Sequence, residues 1–323
     1  MKSIWTVGEA LCEIMRIDTD AGLDTPELFK GPYPSGAPAI FIDTAAKLGT
    51  PSGLIGTVGN DAFGACIRRR LLADGADCSL LATNSMLSTA VAFVAYTSDG
   101  DRTFIFHIGN AAAGDIHYPE HMPENVGIFH VMGCAMMPSP AMADCVMRAA
   151  EHYYEQGALI SFDPNIRIES LHDQDLQELV RPIMERCSIL LPGVEELMAI
   201  TGADSVDAAL EKAFANPVLK VVVLKDGGRG CRVITREESF ALPVCKVEVL
   251  DSTGAGDSFD AGFLTSYLSG LSLRQCAENA SATGALNCAA FGPMEGEITQ
   301  QTVAELVKKI TTGKLSIIKG DVV

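Results

Sequence analysis

The sequence predicts an α/β fold in which a mainly parallel sheet is covered by helices on both of its faces. Short apolar runs that end at Gly, Pro or Asp are typical of buried strands. Such runs occupy residues 4–7, 54–58, 128–132, 158–162, 188–191 and 221–224. Helix-like segments lie between them, among others at 61–73, 140–155 and 195–201. Because strand and helix alternate, we expect the strands to run parallel.

The residues that directly follow these strands are the first place to search for chemistry. In an open parallel sheet, ligands bind beyond the carboxyl ends of the strands. The residues that end the apolar runs here are Gly8, Gly59, Gly133, Asp163, Pro192 and the turn that begins at Lys225.

Two segments interrupt the alternation of strand and helix. Residues 89–97 alternate apolar with small or polar side chains, a turn signal follows at 98–101, and 103–107 is again strand-like. This pattern predicts an antiparallel hairpin, which is either a sheet edge or a flap over a site. Residues 17–35 contain several Gly and Pro residues and are predicted to be a second, irregular insertion.

The composition is that of one globular unit. Of the 323 residues, 48% are hydrophobic and 20% are charged, which excludes wholesale disorder. No internal repeat and no linker divides the chain, so we expect a single domain over residues 1–323.

Charge and cysteine content exclude several kinds of partner. The formal net charge is −17, whereas a nucleic-acid-binding protein needs a basic footprint. The N-terminal residues do not have the pattern of a signal peptide, and the long uncharged run at 78–98 is too rich in Ser, Thr and Asn for a membrane span. The 10 cysteines form no C-x-x-C pair, which favours a reducing, cytoplasmic setting. We therefore expect neither nucleic acid nor a membrane as a partner.

The most informative segment is the Gly-rich string at 251–257, Asp-Ser-Thr-Gly-Ala-Gly-Asp. Apolar residues follow it at spacings of four until Gly270, which predicts a helix that opens at the Gly-rich turn. Gly254 and Gly256 permit a backbone that exposes successive N–H groups at the positive end of this helix, where an anion can bind. Asp257 lies beside that cradle and suits a general base, although an Asp at a helix start also serves as a cap.

The sequence lacks the motifs of three other classes of protein that bind phosphate groups or transfer acyl groups. The chain contains no G-x-x-x-x-G-K-[ST] of a P-loop kinase and no G-x-S-x-G of a serine hydrolase. The Gly254-Ala255-Gly256 string fails at the third glycine of a dinucleotide-binding fingerprint.

The string at 253–257 resembles the signature of the ribokinase-like sugar kinases, the phosphofructokinase B family. Four further segments resemble that family in order and spacing: 36–39, 55–64, 162–167 and 224–230. The Phe-Asp-Pro-Asn-Ile-Arg string at 162–167 is most similar to the fructokinase and 2-keto-3-deoxygluconate kinase branches. The resemblance implies a three-layer α/β/α sandwich with a small β lid, formed by segments at about 12–35 and 88–110.

The resemblance implies an ATP-dependent sugar kinase that acts on a fructose-like sugar or a 2-keto-3-deoxygluconate-like sugar acid. Asp257 would be the general base, and Gly254, Ala255, Gly256 and the Asp257 N–H would form an anion hole for the transferring phosphoryl group. A nucleoside kinase on the same scaffold, or a binding regulator without catalysis, are the alternatives. A homodimer formed through the lid is expected by analogy.

Cofactor and nucleotide residues also follow from the resemblance. Glu196 would act on Mg²⁺ through water, and Asp251 and Thr253 would hold a monovalent cation such as K⁺. The nucleotide side would comprise Asn165, Lys225, Gly227, Gly254, Gly256 and Asn279. Capping or surface roles explain Glu196, Asp251 and Asn279 equally well.

The sugar side is expected to comprise Glu13, Gly36, Ala37, Phe106, His107, Arg167 and Asp257. An arginine such as Arg167 suits a substrate carboxylate, whereas His107 stands where the family often has another arginine. Three further positions depart from the family pattern: Ser35 and Gly193 replace a Gly and an Asn, and Ile40 stands at the usual place of a sugar-contacting Asn.

Overall fold

The computed structural model describes residues 2–98, 102–171 and 174–311. Its strands are β1 (Ser3–Val7), β2 (Leu11–Arg16), β3 (Phe29–Ser35), β4 (Ser52–Gly59), β5 (Leu81–Asn84), β6 (Ala90–Tyr96), β7 (Arg102–His107), β8 (Val126–Met132), β9 (Leu159–Asp163), β10 (Cys187–Leu190), β11 (Val221–Lys225), β12 (Cys231–Ile234) and β13 (Ser239–Leu242). Its helices are α1 (Ala37–Lys47), α2 (Ala62–Ala73), α3 (Pro140–Glu155), α4 (Ile168–Leu171), α5 (Leu176–Met184), α6 (Val194–Thr201), α7 (Val206–Phe214), α8 (Ala255–Leu268), α9 (Leu273–Cys288) and α10 (Gln300–Thr311).

A nine-stranded sheet forms the centre of the molecule, in the order β13-β12-β11-β10-β9-β8-β1-β4-β5. All neighbours from β11 to β5 are parallel, and β12 and β13 continue the sheet as an antiparallel edge. Each of the six predicted strands is present in this sheet. The predicted α/β fold with a mainly parallel sheet is therefore confirmed.

Helices cover both faces of the central sheet and bury two apolar layers. On one face α3, α5, α6 and α7 pack over a layer that includes Phe129, Tyr153 and Phe162. On the other face α1, α2, α8 and α9 enclose Phe41 and Phe263. None of the helices in the described ranges is long and apolar enough to cross a bilayer.

A separate four-stranded sheet, in the order β3-β2-β6-β7, forms the lid. The predicted hairpin is confirmed, because β6 and β7 pair antiparallel from Val91 with His107 to Tyr96 with Arg102. The middle of its predicted turn, 99–101, lies outside the described residues. Of the two roles left open for the hairpin, the lid is confirmed, since β7 belongs to this smaller sheet.

The segment at 17–35 is only partly irregular, so that prediction was wrong for its second half. Residues 29–35 form β3 and pair antiparallel with β2. Two prolines within this strand obscured it in the sequence, but β3 lies at the edge of its sheet, where a residue without an N–H is tolerated.

Asp61 joins the start of α2 to the lid. One of its carboxylate oxygens accepts hydrogen bonds from the N–H groups of Phe63 (3.0 Å) and Gly64 (2.9 Å), as a helix cap does. The same carboxylate accepts bonds from the Thr89 N–H (2.8 Å) and hydroxyl (2.7 Å), directly before β6. A single side chain therefore holds the helix end and the first residue of the hairpin together.

We expect Asp61→Ala to lower the free energy of unfolding by about 2–3 kcal/mol, because it removes a helix cap and leaves buried donors at Thr89. Urea denaturation followed by circular dichroism measures the loss. Asp144→Ala, at an exposed position of α3, is the matched control and should change stability by less than about 0.5 kcal/mol. Equal losses in the two variants would contradict the role assigned to Asp61.

Candidate active site

The Gly-rich turn places Asp257 in the first turn of α8. Gly254 has φ +77°, a left-handed conformation that favours glycine, and α8 begins at the next residue. Asp257 is buried, and its Oδ1 accepts a hydrogen bond from the Asn165 side-chain amide at 3.1 Å. The predicted base therefore lies at the positive end of a helix. It shares a cavity with Asp163 and Lys225, which end two of the central strands.

The turn offers backbone donors to an anion. Within the described ranges, the Gly256 and Asp257 N–H groups have no hydrogen-bond acceptor, as is usual in the first turn of a helix. The Ala255 N–H, by contrast, donates to the Ser252 carbonyl at 3.3 Å. A Cβ at Gly256 would meet only the Lys225 ammonium, 4.0 Å away, so a ligand has room to approach this backbone. Among the predicted anion-hole donors, the Ala255 N–H is thus the one that is already hydrogen-bonded within the protein.

Packing from behind fixes the shape of this turn. A Cβ on Gly254 would lie 2.8 Å from the Pro293 carbonyl and 3.0 Å from the Ile40 side chain, so only glycine fits there. The Asn287 side-chain amide donates to the Thr253 carbonyl at 2.6 Å. Ile40, which stands where the family usually has an Asn, therefore supports the turn by apolar contact.

Burial makes Asp257 a stronger base than an exposed carboxylate. Loss of solvent, helped by the nearby Asp163 carboxylate, raises the pKa of Asp257 to about 7. The positive charges of Arg167, Lys225 and Arg102 oppose this shift. A pKa near the operating pH is what general base catalysis requires.

Lys225 joins β11 to β9 and α8 through buried ion pairs. Its ammonium lies 3.0 Å from Asp163 Oδ2 and 3.0 Å from Asp260 Oδ2. Burial disfavours the charged ammonium, but the carboxylates of Asp163 and Asp260 outweigh it and raise the pKa of Lys225 above its usual range. Lys225 is predicted to contact the nucleotide. It also has a structural role, because Asp260 lies one turn along α8 from Asp257 and the ion pair holds this part of the helix in place.

Asn165 and Glu196 meet at the other side of Asp257. Asn165 has a left-handed backbone, with φ +37°, and its buried Oδ1 has no hydrogen-bond partner within the described residues. The two Glu196 oxygens accept from the N–H groups of Ile166 (2.9 Å) and Gly193 (2.8 Å). Gly193, which replaces the family Asn, thus binds Glu196 through its backbone.

The donors at this side fit a magnesium ion that keeps much of its water. Asn165 Oδ1 and the Glu196 carboxylate are hard oxygen ligands, as Mg²⁺ prefers. The described residues contain no group of three or more His, Cys, Asp or Glu side chains arranged to hold a metal. A Mg²⁺ ion here would therefore depend on phosphate oxygens and water for most of its ligands.

The lid contacts the two residues predicted to hold a monovalent cation. The Tyr96 hydroxyl donates to Asp251 Oδ1 at 2.9 Å and lies 2.9 Å from Thr253 Oγ1. Arg102 Nη1 donates to the same Thr253 hydroxyl at 3.2 Å, and the Gly292 N–H donates to Asp251 Oδ2 at 3.0 Å. The structure brings Asp251 and Thr253 together, with Tyr96 of β6 bound to both and Arg102 of β7 bound to Thr253.

The predicted sugar side lies in the same cavity as Asp257. Glu13, Gly36, Ala37, Phe106 and Arg167 all line it. The Glu13 carboxylate, on β2, accepts from the hydroxyl of Ser35 at 2.7 Å, so the departure at Ser35 supplies a partner for Glu13. Gly36 has φ +103°, and a Cβ there would lie 2.6 Å from the Glu9 carbonyl.

Outside the Gly-rich string, where Asp251 and Ala255 do not line the cavity, three further predicted residues lie away from it. His107 is exposed on the face of β7 opposite to Phe106, with its ring 6.4 Å from that of Phe93. The Asn279 side chain donates to the Ser266 hydroxyl at 2.9 Å, between α9 and α8. Gly227 lies in an open turn after β11. Their predicted contacts with sugar or nucleotide stay predictions.

Four residues that the sequence analysis did not assign belong to the site: Glu9, Tyr96, Arg102 and Asp163. Side chains alternate along a strand, so the parity of Phe104 and Phe106 already indicates that Arg102 faces the cavity and His107 does not. Asp163 directly ends a predicted strand, which is also a usable signal. Glu9, in the loop between β1 and β2, belongs to no recognisable motif.

Comparison with known proteins identifies the class of protein that this fold and site define. The model of the pfkB family of carbohydrate kinases matches residues 1–300 of the chain. The fructokinase of Escherichia coli is 31% identical over 304 residues, covering 90% of this chain and 94% of that protein. The probable fructokinase-6, chloroplastic, of Arabidopsis thaliana is 31% identical over 317 residues, covering 94% and 81%.

A solved structure agrees with this match. It is an E. coli protein assigned as ribokinase II, in complex with ATP and Mg²⁺, with a TM-score of 0.90 and 35% identity over 96% of this chain and 100% of that one. The chain therefore belongs to the pfkB family of carbohydrate kinases. It is a kinase that transfers a phosphoryl group to an alcohol acceptor, as the Gly-rich string predicted.

The activity should rise with pH through a midpoint of about 7, because only the deprotonated Asp257 accepts a proton and burial raises its pKa to about 7. A profile of kcat/KM between about pH 5 and pH 9 measures this limb. In Arg167→Gln the limb should move to higher pH, because the Arg167 charge lowers the pKa of Asp257. If the limb does not move in this variant, it reports the ionisation of a group other than Asp257.

Proposed function

We propose that the protein phosphorylates a fructose-like sugar with ATP, and that Asp257 is the general base. The observation that carries this proposal is the buried Asp257 carboxylate beside the free Gly256 and Asp257 N–H groups at the start of α8. The likeness to proteins named fructokinases supports the class of sugar.

The proposed step is an in-line transfer. Asp257 accepts the proton of a sugar hydroxyl as its oxygen attacks the γ-phosphorus, and the bond to the bridging oxygen breaks to release ADP. The N–H groups of Gly256 and Asp257 stabilise the negative charge on the transferring group. The Lys225 ammonium adds a positive charge beside this backbone. It lies 4.0 Å from the point where a Cβ on residue 256 would be. When bound, Mg²⁺ neutralises phosphate charge, with Asn165 and Glu196 on its side of the site.

The sugar is proposed to lie between the lid and the loop at Gly36. Glu13 supplies a charged acceptor for hydroxyl groups, and the stacked rings of Phe104 and Phe106, 5.0 Å apart, form an apolar wall. Arg167 opens into the same cavity and is the group that a 2-keto sugar acid would use. A silent binding protein is less favoured, because Asp257 and its donors are complete. A nucleoside acceptor is less favoured, because the string at 162–167 and the relatives named fructokinases favour a sugar.

We also propose a cytoplasmic homodimer that associates through the lid. All ten cysteines are free, as expected in a reducing compartment. Large apolar side chains are exposed on or beside the lid sheet, among them Ile17, Leu28 and Ile105. Exposed large apolar side chains are typical of an association face where they adjoin.

Asp257→Asn should lower kcat by a factor of about 10² to 10⁴ while ATP binding is retained, because the amide cannot accept the proton. The measurement is ATP consumption with Mg²⁺ and K⁺ over ketohexoses, pentoses, sugar acids and nucleosides. Asp144→Asn is the control and should keep wild-type rates. Near-full activity of Asp257→Asn on any accepted sugar would contradict the assignment of the base.

Ile105→Lys should shift the protein from dimer to monomer in sedimentation velocity, since a charge on an apolar association face is costly to bury. Val249→Lys, at an exposed position before the Gly-rich turn, is the control. A wild type that sediments as a monomer at every concentration would contradict the proposed lid dimer.

A further inference from the structure

A further buried carboxylate, Glu9, lies in the cavity that contains Glu13 and Asp257. It follows β1 and precedes β2, so it lies where the central sheet passes into the lid. Only 5% of Glu9 is exposed, the same fraction as for Glu13. Nothing in the phosphoryl transfer proposed above uses this side chain.

Glu9 and Glu13 share one arrangement of hydrogen bonds. One oxygen of each carboxylate accepts a bond from the protein: Glu9 Oε1 from the Cys134 thiol at 3.4 Å, and Glu13 Oε1 from the Ser35 hydroxyl at 2.7 Å. The other oxygen of each, Oε2, is buried and has no partner within the described residues. Buried polar atoms are nearly always hydrogen-bonded, so two such atoms in one cavity indicate missing donors.

The surroundings favour neutral donors over a charged ligand. Burial raises the pKa of both carboxyl groups to about 7, although the charge of Arg167 near Glu9 and that of Arg102 near Glu13 oppose the shift. Within the described residues neither arginine is hydrogen-bonded to these carboxylates. The hydroxyl groups of a sugar would donate to these oxygens and favour their charged forms. A ligand carboxylate placed beside Glu9 and Glu13 would be repelled by both, so that it would have to bind Arg102 or Arg167 of the same cavity.

We propose that Glu9 is a second sugar-binding carboxylate, which with Glu13 selects a neutral polyhydroxy sugar over a sugar acid. The proposal rests on the sugar kinase activity proposed above and narrows its substrate class. The backbone supports it, because the Glu9 carbonyl is so close to Gly36 that a Cβ there would lie only 2.6 Å away. Glu9 thus borders the loop at which the sugar is expected.

The test is Glu9→Gln, which keeps the shape of the side chain but weakens the acceptor. For the neutral ketohexose that the wild type uses best, KM should rise about tenfold or more while kcat changes by less than about threefold. The ratio of kcat/KM for 2-keto-3-deoxygluconate to that for the neutral sugar should rise. Calorimetric titration of the sugar into the nucleotide-free variant should show the same weakening.

The control is Glu155→Gln, at the exposed end of α3, which should keep wild-type KM and kcat. Unchanged KM and sugar affinity in Glu9→Gln would overturn the proposal while leaving the sugar kinase activity intact. So would a large fall in melting temperature with equal losses for neutral and acidic sugars, which indicates a structural role. A wild type that phosphorylates no sugar would overturn the proposed function itself, and this inference with it.

Discussion

The ion pairs of Lys225 with Asp163 and Asp260 are the contacts on which the site depends most. They join the ends of β9 and β11 to α8 in a place from which water is largely excluded. A buried ammonium is retained only where carboxylates are bonded to it. Because α8 is fixed in this way, the Gly-rich turn and Asp257 lie beside the strand ends. Among the described residues no cationic side chain forms an ion pair with Asp257, and burial is the largest influence on its pKa.

The lid completes the site from the opposite side. Tyr96 and Arg102 bind the turn through Asp251 and Thr253, so the position of the hairpin is coupled to the shape of the anion-binding loop. Glu13 lies on the neighbouring lid strand, so that the proposed sugar contacts and phosphate contacts come from one connected unit. A substrate between them would be shielded from water, which strengthens every charge interaction in the cavity.

The sequence alone predicts those features of the site that depend on a short local string of residues. It does not predict those that depend on packing. The turn at Gly254 and the position of Asp257 in the first turn of α8 were predictable, since glycine conformation and helix start are local properties. Phe106 and His107 were both predicted on the sugar side, but alternation along β7 places only Phe106, with Arg102, on the side that lines the cavity. The ion pair of Lys225 with Asp260 joins residues on different elements, and only the folded chain brings them together. Glu9 comes two residues after β1, at a strand end where ligands bind, but no motif marks it and its burial beside Gly36 depends on packing.

The most direct test of this account is the pKa of the Asp257 carboxyl in the folded protein. It can be measured by ¹³C NMR of protein labelled at the aspartate side-chain carboxyl, with Asp257→Asn assigning the resonance. The account predicts a value of about 7, because the group is buried beside Asp163. A titration near 4, the ordinary value of an exposed aspartate, would show that the group is solvated and would contradict its role as the buried base.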